Sequence, residues 1–202
     1  MKKLLSIILV SVMLFAATAV TSFAATTHTV EKGDSLWKIA VRYQVGLAEI
    51  KEANPAIKNY NLIYPGQKIT IPTVDSAATA FEAEVVRLVN NIRAENGLKP
   101  LTQDWQLSRV ARYKSQDMKD LGYFSHTSPT YGSPFTMMTS FGISYRTAGE
   151  NIAKGYASPE AVVNAWMNSK GHRANILNSS YTHIGVGYVD SGNYWTQMFV
   201  GR

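Results

Sequence analysis

Three polar side chains stand out in the C-terminal half of the chain, each within an aromatic or glycine-rich segment. They are His126 in Tyr-Phe-Ser-His-Thr-Ser-Pro, Glu150 in Ala-Gly-Glu-Asn-Ile, and His172 in Lys-Gly-His-Arg-Ala-Asn. Two neutral imidazoles and one carboxylate are donors that could hold Zn²⁺ or another divalent cation and leave a position for water or substrate. Glu150 could instead orient an imidazole, or act as a general base toward bound water.

The spacing of these residues does not assign a metal by itself. The two histidines lie far apart in the chain and are not the i, i+4 pair of a single-helix zinc protease site. Ser125 and Ser169 each lie near one of them, but neither lies in the glycine-flanked elbow that exposes a nucleophilic serine. The chain has no cysteine, so thiol nucleophiles, thiolate metal sites and disulfide bonds are excluded.

The elements that must position these residues are helices followed by a hairpin. The first helix is predicted from an apolar stripe at helical spacing, formed by Phe81, Val85, Leu88, Val89 and Ile92. A second helix is predicted at 107–121, and a third begins with Ser158 as its cap. The alternation through Gly185 and Gly187 predicts a strand that a helix or a ligand approaches closely. Helices that cover a sheet make this unit α+β.

A smaller unit precedes this domain. Its turn at Gly33 is followed by Asp34 and Ser35, either of which is able to cap a helix. Asn54-Pro55 ends a second short helix, because the residue before a proline disfavours helical backbone. The predicted order is β-α-α-β: a strand at 27–30, a helix after the turn, a helix at 47–53 and a strand at 68–71.

Residues 27–73 resemble a LysM module through His28-Thr-Val-Glu-Lys-Gly-Asp-Ser-Leu-Trp-Lys-Ile-Ala, Asn54-Pro55 and Ile63-Tyr-Pro-Gly-Gln-Lys-Ile-Thr-Ile-Pro72. The resemblance implies binding, without hydrolysis, of glycans that contain N-acetylglucosamine, chiefly peptidoglycan and chitin. It also implies a shallow groove that works through backbone hydrogen bonds and apolar contact with sugar faces. Its two sides would be Gly33, Asp34, Ser35 and Leu36, and Asn54, Pro55, Ala56 and Ile57. His28 is expected at the surface.

Residues 81–202 resemble the CAP superfamily (cysteine-rich secretory, antigen 5, pathogenesis-related 1) in its bacterial SCP-like branch. The likeness includes the segments around His126, Glu150 and His172, together with Leu88-Val-Asn-Xaa-Xaa-Arg93, Leu98-Lys-Pro-Leu101, Ile184-Gly-Val-Gly and Tyr194-Trp-Thr-Gln. It implies an α-β-α sandwich whose cleft holds two histidines and two glutamates in many members, the histidines being able to bind zinc. His126 and His172 match the histidines, and Glu150 matches one glutamate. The second glutamate would fall at Ser169, so the set is incomplete.

Three functions stay open on these resemblances. The first is a wall-associated binding protein, tethered by its LysM module, whose cleft binds a small or lipidic ligand as some CAP relatives do. The second is a metal-assisted hydrolase of peptide or ester bonds in or near the wall, with a cation on His126 and His172 and with Glu150 as base. The third is a structural component of the wall or the spore surface.

The N-terminus predicts export to the cell wall. Two lysines precede an apolar run at 4–20, and Ser22 and Ala24 supply a cleavage site, so residues 1–24 are predicted to be a signal peptide that leaves no membrane span. Without those lysines the formal net charge falls from +6 to +4. The interspersed charges suit an anionic wall better than nucleic acid. Residues 74–80, rich in Ala, Ser and Thr, are predicted to be a linker with some flexibility.

Overall fold

The computed structural model describes residues 25–73 and 75–202, and the predicted signal peptide lies outside them. The smaller unit has the predicted β-α-α-β order: β1 (Ala25–Thr29), α1 (Leu36–Tyr43), α2 (Leu47–Ala53) and β2 (Lys68–Pro72). The two strands pair antiparallel, with Thr27 opposite Thr70. The first strand therefore starts and ends slightly earlier than the predicted 27–30.

Local chemistry sets the limits of the helices in this unit. Of the two candidate caps, Ser35 is the one used, because its hydroxyl accepts a hydrogen bond from the backbone N–H of Lys38. α1 ends at Gln44, whose backbone is left-handed with φ 53°. Both helices then pack on the two-stranded sheet through fully or almost fully buried apolar side chains: Leu36, Ile39, Ile50, Ile69 and Ile71.

The larger unit is the predicted α+β domain. Its elements are α3 (Ser76–Glu95), β3 (Thr102–Gln103), α4 (Trp105–Asp120), α5 (Pro134–Ser140), β4 (Thr147–Lys154), α6 (Pro159–Asn168), α7 (Lys170–Ile176), β5 (His183–Val189) and β6 (Tyr194–Gly201). The four strands form one sheet in the order β3-β5-β6-β4. β6 pairs antiparallel with both neighbours, and β3 joins β5 in parallel. The predicted C-terminal hairpin is thus the centre of the sheet.

Helices cover both faces of this sheet, which confirms the predicted sandwich. On one face α4 lies against β5 and β6, and a Cβ atom at Gly187 would come within 2.1 Å of the backbone nitrogen of Arg112. Gly185 likewise faces the backbone of α4 at Leu107. Of the two open explanations for these glycines, the structure shows helix packing. On the other face the core is formed by α3, α6 and the strands, with Trp166 and Trp195 buried within it.

The chain between the two units is more ordered than the predicted linker. Asp75 caps α3 by accepting a hydrogen bond from the backbone N–H of Ala77, so helix begins at Ser76. Alanine is the strongest helix former, and Ala78 packs against the core, so the segment extends the amphipathic helix. No helix in residues 25–73 and 75–202 is long and apolar enough to cross a membrane.

Candidate functional site

The CAP-like domain brings His126 and Glu150 into direct contact. His126 lies in the loop between α4 and α5, and Glu150 lies on β4, whose strand character was not predicted. His126 Nδ1 is 2.7 Å from Glu150 Oε1, and the side chains are 53% and 1% exposed. The buried carboxylate therefore orients an exposed imidazole, which is one of the alternatives that the sequence left open. Nε2 of His126 is left without a hydrogen-bond partner among the described residues.

The second oxygen of Glu150 is a buried acceptor without a protein partner. Oε2 is inaccessible, yet no described residue donates a hydrogen bond to it. Burial raises the pKa of Glu150 above its ordinary value. The hydrogen bond from His126 and the positive charge of Lys114 both act to lower that pKa, but burial outweighs them. A buried acceptor of this kind is normally satisfied, so a water or a ligand that carries an N–H or O–H group would be stabilised beside it.

His172 lies on α7, near enough to His126 for the two rings to interact electrostatically. Burial lowers the pKa of His172, and the nearby charge of His126 lowers it further, so this imidazole is neutral at pH 7. Asn175 fixes α7 to β4 by donating hydrogen bonds to the carbonyl of Glu150 at 3.1 Å and to the side chain of Asn151 at 2.8 Å. Asn151 in turn donates to the carbonyl of His172 at 3.1 Å. The helix that carries His172 is therefore tied to the strand that carries Glu150.

A pair of charged residues on α4 anchors the loop that carries His126. The buried Lys114 donates hydrogen bonds to the carbonyl of Ser125 at 2.7 Å and to the hydroxyl of Tyr123 at 3.0 Å. Asp117 accepts from three hydroxyl groups of the same loop, and their hydrogen bonds lower its pKa despite its partial burial. Their donors are Tyr123 at 2.5 Å, Ser128 at 2.7 Å and Thr130 at 2.5 Å. Neither residue was predicted from the sequence. Lys114 and Asp117 are three residues apart on one helix, directly before the loop, and this spacing could have indicated that they act together.

The residues do not form the ligand set of a catalytic zinc site. Glu150 contacts the ring of His126, and Ser169, where the family pattern has glutamate, is the junction of α6 and α7 and brings no carboxylate. No three His, Asp or Glu side chains in the described ranges, 25–73 and 75–202, are grouped so as to hold a metal. Catalytic zinc usually has three protein ligands, whereas this cleft offers the two imidazoles of His126 and His172.

A second concave site lies in the smaller unit. Its cavity has a volume of about 220 Å³. One wall comes from the start of α1, and the other comes from α2 and the segment at 60–63. The residues that line it are Asp34, Ser35, Leu36, Trp37, Leu47, Lys51, Tyr60, Asn61 and Ile63. Trp37 lines this cavity and is 62% exposed, so its indole ring is accessible to a ligand.

The predicted groove residues divide between this cavity and the framework around it. Asp34, Ser35 and Leu36 line the cavity, whereas Gly33 makes the preceding turn with φ +91°. On the other side, Asn54, Pro55, Ala56 and Ile57 are not among the lining residues. The Asn54 amide donates hydrogen bonds to the carbonyls of Ile50 and Thr70, both at 2.7 Å, and so fixes the end of α2 to β2.

The expectation that His28 lies at the surface is wrong. Its side chain is 6% exposed, with Nε2 2.8 Å from the Asp34 carboxylate and Nδ1 3.1 Å from the hydroxyl of Tyr43. A histidine on a short strand is buried when both ring nitrogens find partners. Asp34 also accepts a hydrogen bond from the backbone N–H of Glu31, and this bond, with that of His28, lowers the pKa of Asp34. The carboxylate therefore holds the turn at the rim of the cavity.

Comparison with families of known sequence agrees with the two units. Residues 86–201, more than half of the chain, match the model of the cysteine-rich secretory protein family, CAP. Residues 28–72 match the model of the LysM domain. Both matches lie within the boundaries of the folded units described above.

Individual relatives are similar over part of their length. The chain is 64% identical over 133 residues to the uncharacterized protein YkwD of Bacillus subtilis, covering 66% of this chain and 52% of the relative. It is 34% identical over 88 residues to the N-acetylmuramoyl-L-alanine amidase sle1 of Staphylococcus epidermidis, covering 44% and 26%. The chain thus spans about half of the first relative and about a quarter of the second.

A solved structure shares the fold of the larger unit. It is an extracellular protein containing an SCP domain from Bacillus anthracis, with a TM-score of 0.61 and 34% identity, covering 68% of this chain and 47% of that one. The family match, this structural match and the sandwich with His126 and Glu150 in its cleft agree with one another. The chain belongs to the cysteine-rich secretory protein (CAP) family and carries a LysM domain before its CAP domain.

Proposed function

We propose that this chain is a secreted, wall-associated protein that binds the N-acetylglucosamine-containing glycan of peptidoglycan through its LysM domain. In the same proposal, the CAP cleft binds a small or lipidic ligand. The observation that carries the first part is the LysM cavity, with an exposed indole at its rim and polar groups beside it. The relative named as an N-acetylmuramoyl-L-alanine amidase and the extracellular SCP-domain protein support a place outside the cell and at its wall.

The lining of the LysM cavity suits a sugar chain. Trp37, Leu47 and Ile63 offer apolar surface for the flat faces of pyranose rings, and Lys51 and Asn61 offer hydrogen-bond donors. The hydroxyl of Tyr60 donates to the carbonyl of Lys51 at 3.1 Å, so it holds the two sides of the second wall together. A neutral glycan bound in this way would depend on apolar contact and hydrogen bonds rather than on net charge.

Co-sedimentation with purified cell walls tests the first part of the proposal. The chain from Ala25 onward should pellet with walls, and Trp37→Ala should weaken pelleting by about tenfold or more, because an aromatic anchor contributes on the order of 2 kcal/mol. Tyr64→Ala is the matched control, since Tyr64 is 60% exposed, against 62% for Trp37, but does not line the cavity. An equal loss in the two variants would mean that general apolar adhesion, not the cavity, holds the protein to the wall.

The CAP cleft has the parts of a site for an amphipathic ligand. Its polar part is the exposed His126 ring, whose free Nε2 can hydrogen-bond to the O–H or N–H groups of a head group. Beside it on the same loop, Leu121 and Phe124 are 56% and 51% exposed. Exposed apolar side chains next to a polar cleft suit the body of a small or lipidic ligand.

A titration followed by NMR tests the cleft with one defined probe, n-octyl-β-glucoside below its micellar concentration. Shift changes should appear at His126 and in the loop after α4, and Phe124→Ser should reduce them. Phe135→Ser is the matched control, because Phe135 is 47% exposed and lies on α5, outside the loop that carries His126. Shift changes spread evenly over the surface would mean detergent adsorption and would count against a cleft ligand.

Hydrolysis of peptide or ester bonds is the second candidate function, and the His126–Glu150 pair favours it. An imidazole whose Nδ1 is held by a buried carboxylate has a free Nε2 that can take a proton from water. Release of soluble fragments from walls by the chain from Ala25 onward, lost in His126→Ala, would support a hydrolase. Binding to walls without release of fragments would count against a hydrolase and support the wall-associated binding protein.

A further inference from the structure

One ion pair joins the LysM domain directly to the CAP domain. Glu49 on α2 pairs with Arg109 on α4, and their side chains are 23% and 19% exposed. Arg109 Nη2 donates to Glu49 Oε2 at 2.9 Å, while Nε donates to Oε1. This is a bidentate pair, in which a planar guanidinium matches a carboxylate. It fixes the relative orientation of the two side chains more strictly than a single hydrogen bond does.

The arginine is held in place from the CAP side. Its Cζ lies 5.4 Å from the ring centroid of Tyr113 and 5.2 Å from that of Phe141, so two aromatic rings support the guanidinium. Tyr113 also lies near enough to Glu49 to help lower the pKa of its carboxyl group. Burial alone would raise the pKa of Glu49, but the hydrogen bonds and charge of Arg109 outweigh it and lower that pKa. Because the guanidinium is already positioned, little further ordering of Arg109 is needed when the LysM domain docks.

Gly46 lies directly against this ion pair. It is the N-cap of α2 with φ −73° and ψ 150°, a backbone that any residue adopts. A Cβ atom there would lie 2.2 Å from Arg109 Nε and 1.9 Å from Glu49 Oε2. These atoms are the ends of the two side chains of the ion pair, so a side chain at position 46 would have to displace the contact between Glu49 and Arg109.

The same helix also forms part of the glycan cavity. Leu47 and Lys51, which line the cavity, alternate along α2 with Gly46 and Glu49, which face Arg109. The covalent connection is short, since β2 ends at Pro72 and Asp75 already caps α3. Cavity and docking contact thus share one short helix, and the covalent connection between the domains is short.

We propose that α2 docks the LysM domain on α4 of the CAP domain, so that the two domains move as one body. A glycan strand in the LysM cavity is then held in a set orientation relative to the cleft of His126, a consequence that rests on the proposed function. The docking itself does not depend on glycan binding, and it replaces the predicted flexible linker with a rigid joint.

Backbone ¹⁵N relaxation of the chain from Ala25 onward tests the docking. In the wild type, amides of both domains should give one rotational correlation time. Glu49→Gln and Gly46→Ser should each give two correlation times, both shorter than the common one, with the smaller LysM domain giving the shorter of the two. Serine is favoured at an N-cap, so Gly46→Ser changes the contact while keeping the start of α2. Glu84→Gln is the control, because it removes a pair with Arg87 that lies within α3.

Charge reversal keeps the test decisive if a single variant folds poorly. Glu49→Arg should lose the common correlation time, and adding Arg109→Glu should restore it. Two correlation times in the wild type, or a common one that survives Glu49→Gln, Gly46→Ser and Glu49→Arg, would overturn the proposal. Wall co-sedimentation of the undocked variants separates this result from the proposed function, since their cavity residues are intact and they should still pellet.

Discussion

His126 Nδ1 lies 2.7 Å from Oε1 of Glu150, so the ring and the carboxylate act as one unit at the edge of the CAP cleft. The contact joins a half-exposed side chain to one that is almost completely buried. Among the described residues this assigns Nδ1 to Glu150 and leaves Nε2 for a ligand or a water. It also explains why Glu150 is not placed to be a direct metal ligand while it holds His126.

The tautomer of His126 follows from this contact. In the neutral ring the proton should reside mainly on Nδ1, because the carboxylate accepts it, whereas exposed histidines favour Nε2–H. Long-range ¹H–¹⁵N spectra at a pH above the titration of histidine measure the two nitrogens directly. Glu150→Ala should return His126 toward the Nε2–H form. His183, whose Nδ1 contacts only the hydroxyl of Thr182, is the internal reference, and a dominant Nε2–H form of His126 in the wild type would contradict the assignment.

The contact between α4 and β5 should tolerate no added volume. Gly187→Ala would place a Cβ atom 2.1 Å from the backbone of Arg112, so α4 must move, and we expect a loss of about 2–3 kcal/mol in the free energy of unfolding. Gly171→Ala, in α7 with no atom within 4 Å of its Cβ position, is the control. It should raise stability by up to about 1 kcal/mol, because alanine favours helix. Denaturant unfolding measures both, and equal effects would refute the packing argument.

The docking of the two domains should be lost in acid. Arg109 and Tyr113 face Glu49 and hold its pKa below its ordinary value of 4.5, so the ionised pair stabilises docking above that pH. Its contribution disappears as the pH falls through the lowered pKa of the docked state. Relaxation measurements from neutral pH to well below 4.5 should therefore show the LysM domain beginning to tumble independently. A docked state that persists after Glu49 is protonated would show that other contacts hold the domains.

Zinc is expected to bind only weakly to the CAP cleft. No three His, Asp or Glu side chains among the described residues are grouped to hold a metal, so His126 and His172 alone would fall short of the usual three protein ligands. Calorimetric titration of Zn²⁺ into the metal-stripped chain, beside the His126→Ala, His172→Ala double variant, measures this. Tight one-to-one binding that disappears in the double variant would contradict the expectation. It would favour the hydrolase function over the binding function for the CAP domain.

Sequence patterns predicted the architecture well because periodicity and caps are local. The helix that begins at Ser158 and the hairpin that contains Gly185 and Gly187 were both read correctly. Buried charges were not predicted, because a fully buried Lys114 or Glu82 is stable only through partners brought together by the tertiary fold. Glu82, for example, pairs with Arg112 across two helices and accepts a hydrogen bond from the backbone N–H of Tyr188.

The same reasoning explains what was found and missed in the two sites. His126, Glu150 and His172 were recognised from motifs, but their pairing depends on β4, whose mixed sequence does not alternate clearly. In the LysM domain, Asp34, Ser35 and Leu36 line the cavity, because they follow a turn that the sequence marks with Gly33, and their contact with a glycan stays a prediction. The opposite wall comes from residues distant in sequence, including Lys51 and Asn61, and a local motif does not reveal them.

Amide chemical-shift mapping with a tetramer of N-acetylglucosamine tests the central claim most directly. In the docked chain from Ala25 onward, shift changes should concentrate at 34–37, 47–51 and 60–63, the segments that line the cavity. Trp37→Ala should remove most of them, and Tyr64→Ala should not. Saturable changes confined to these segments are the predicted result. An unchanged LysM spectrum at saturating tetramer, or changes that map to the CAP domain instead, would contradict glycan binding by this cavity.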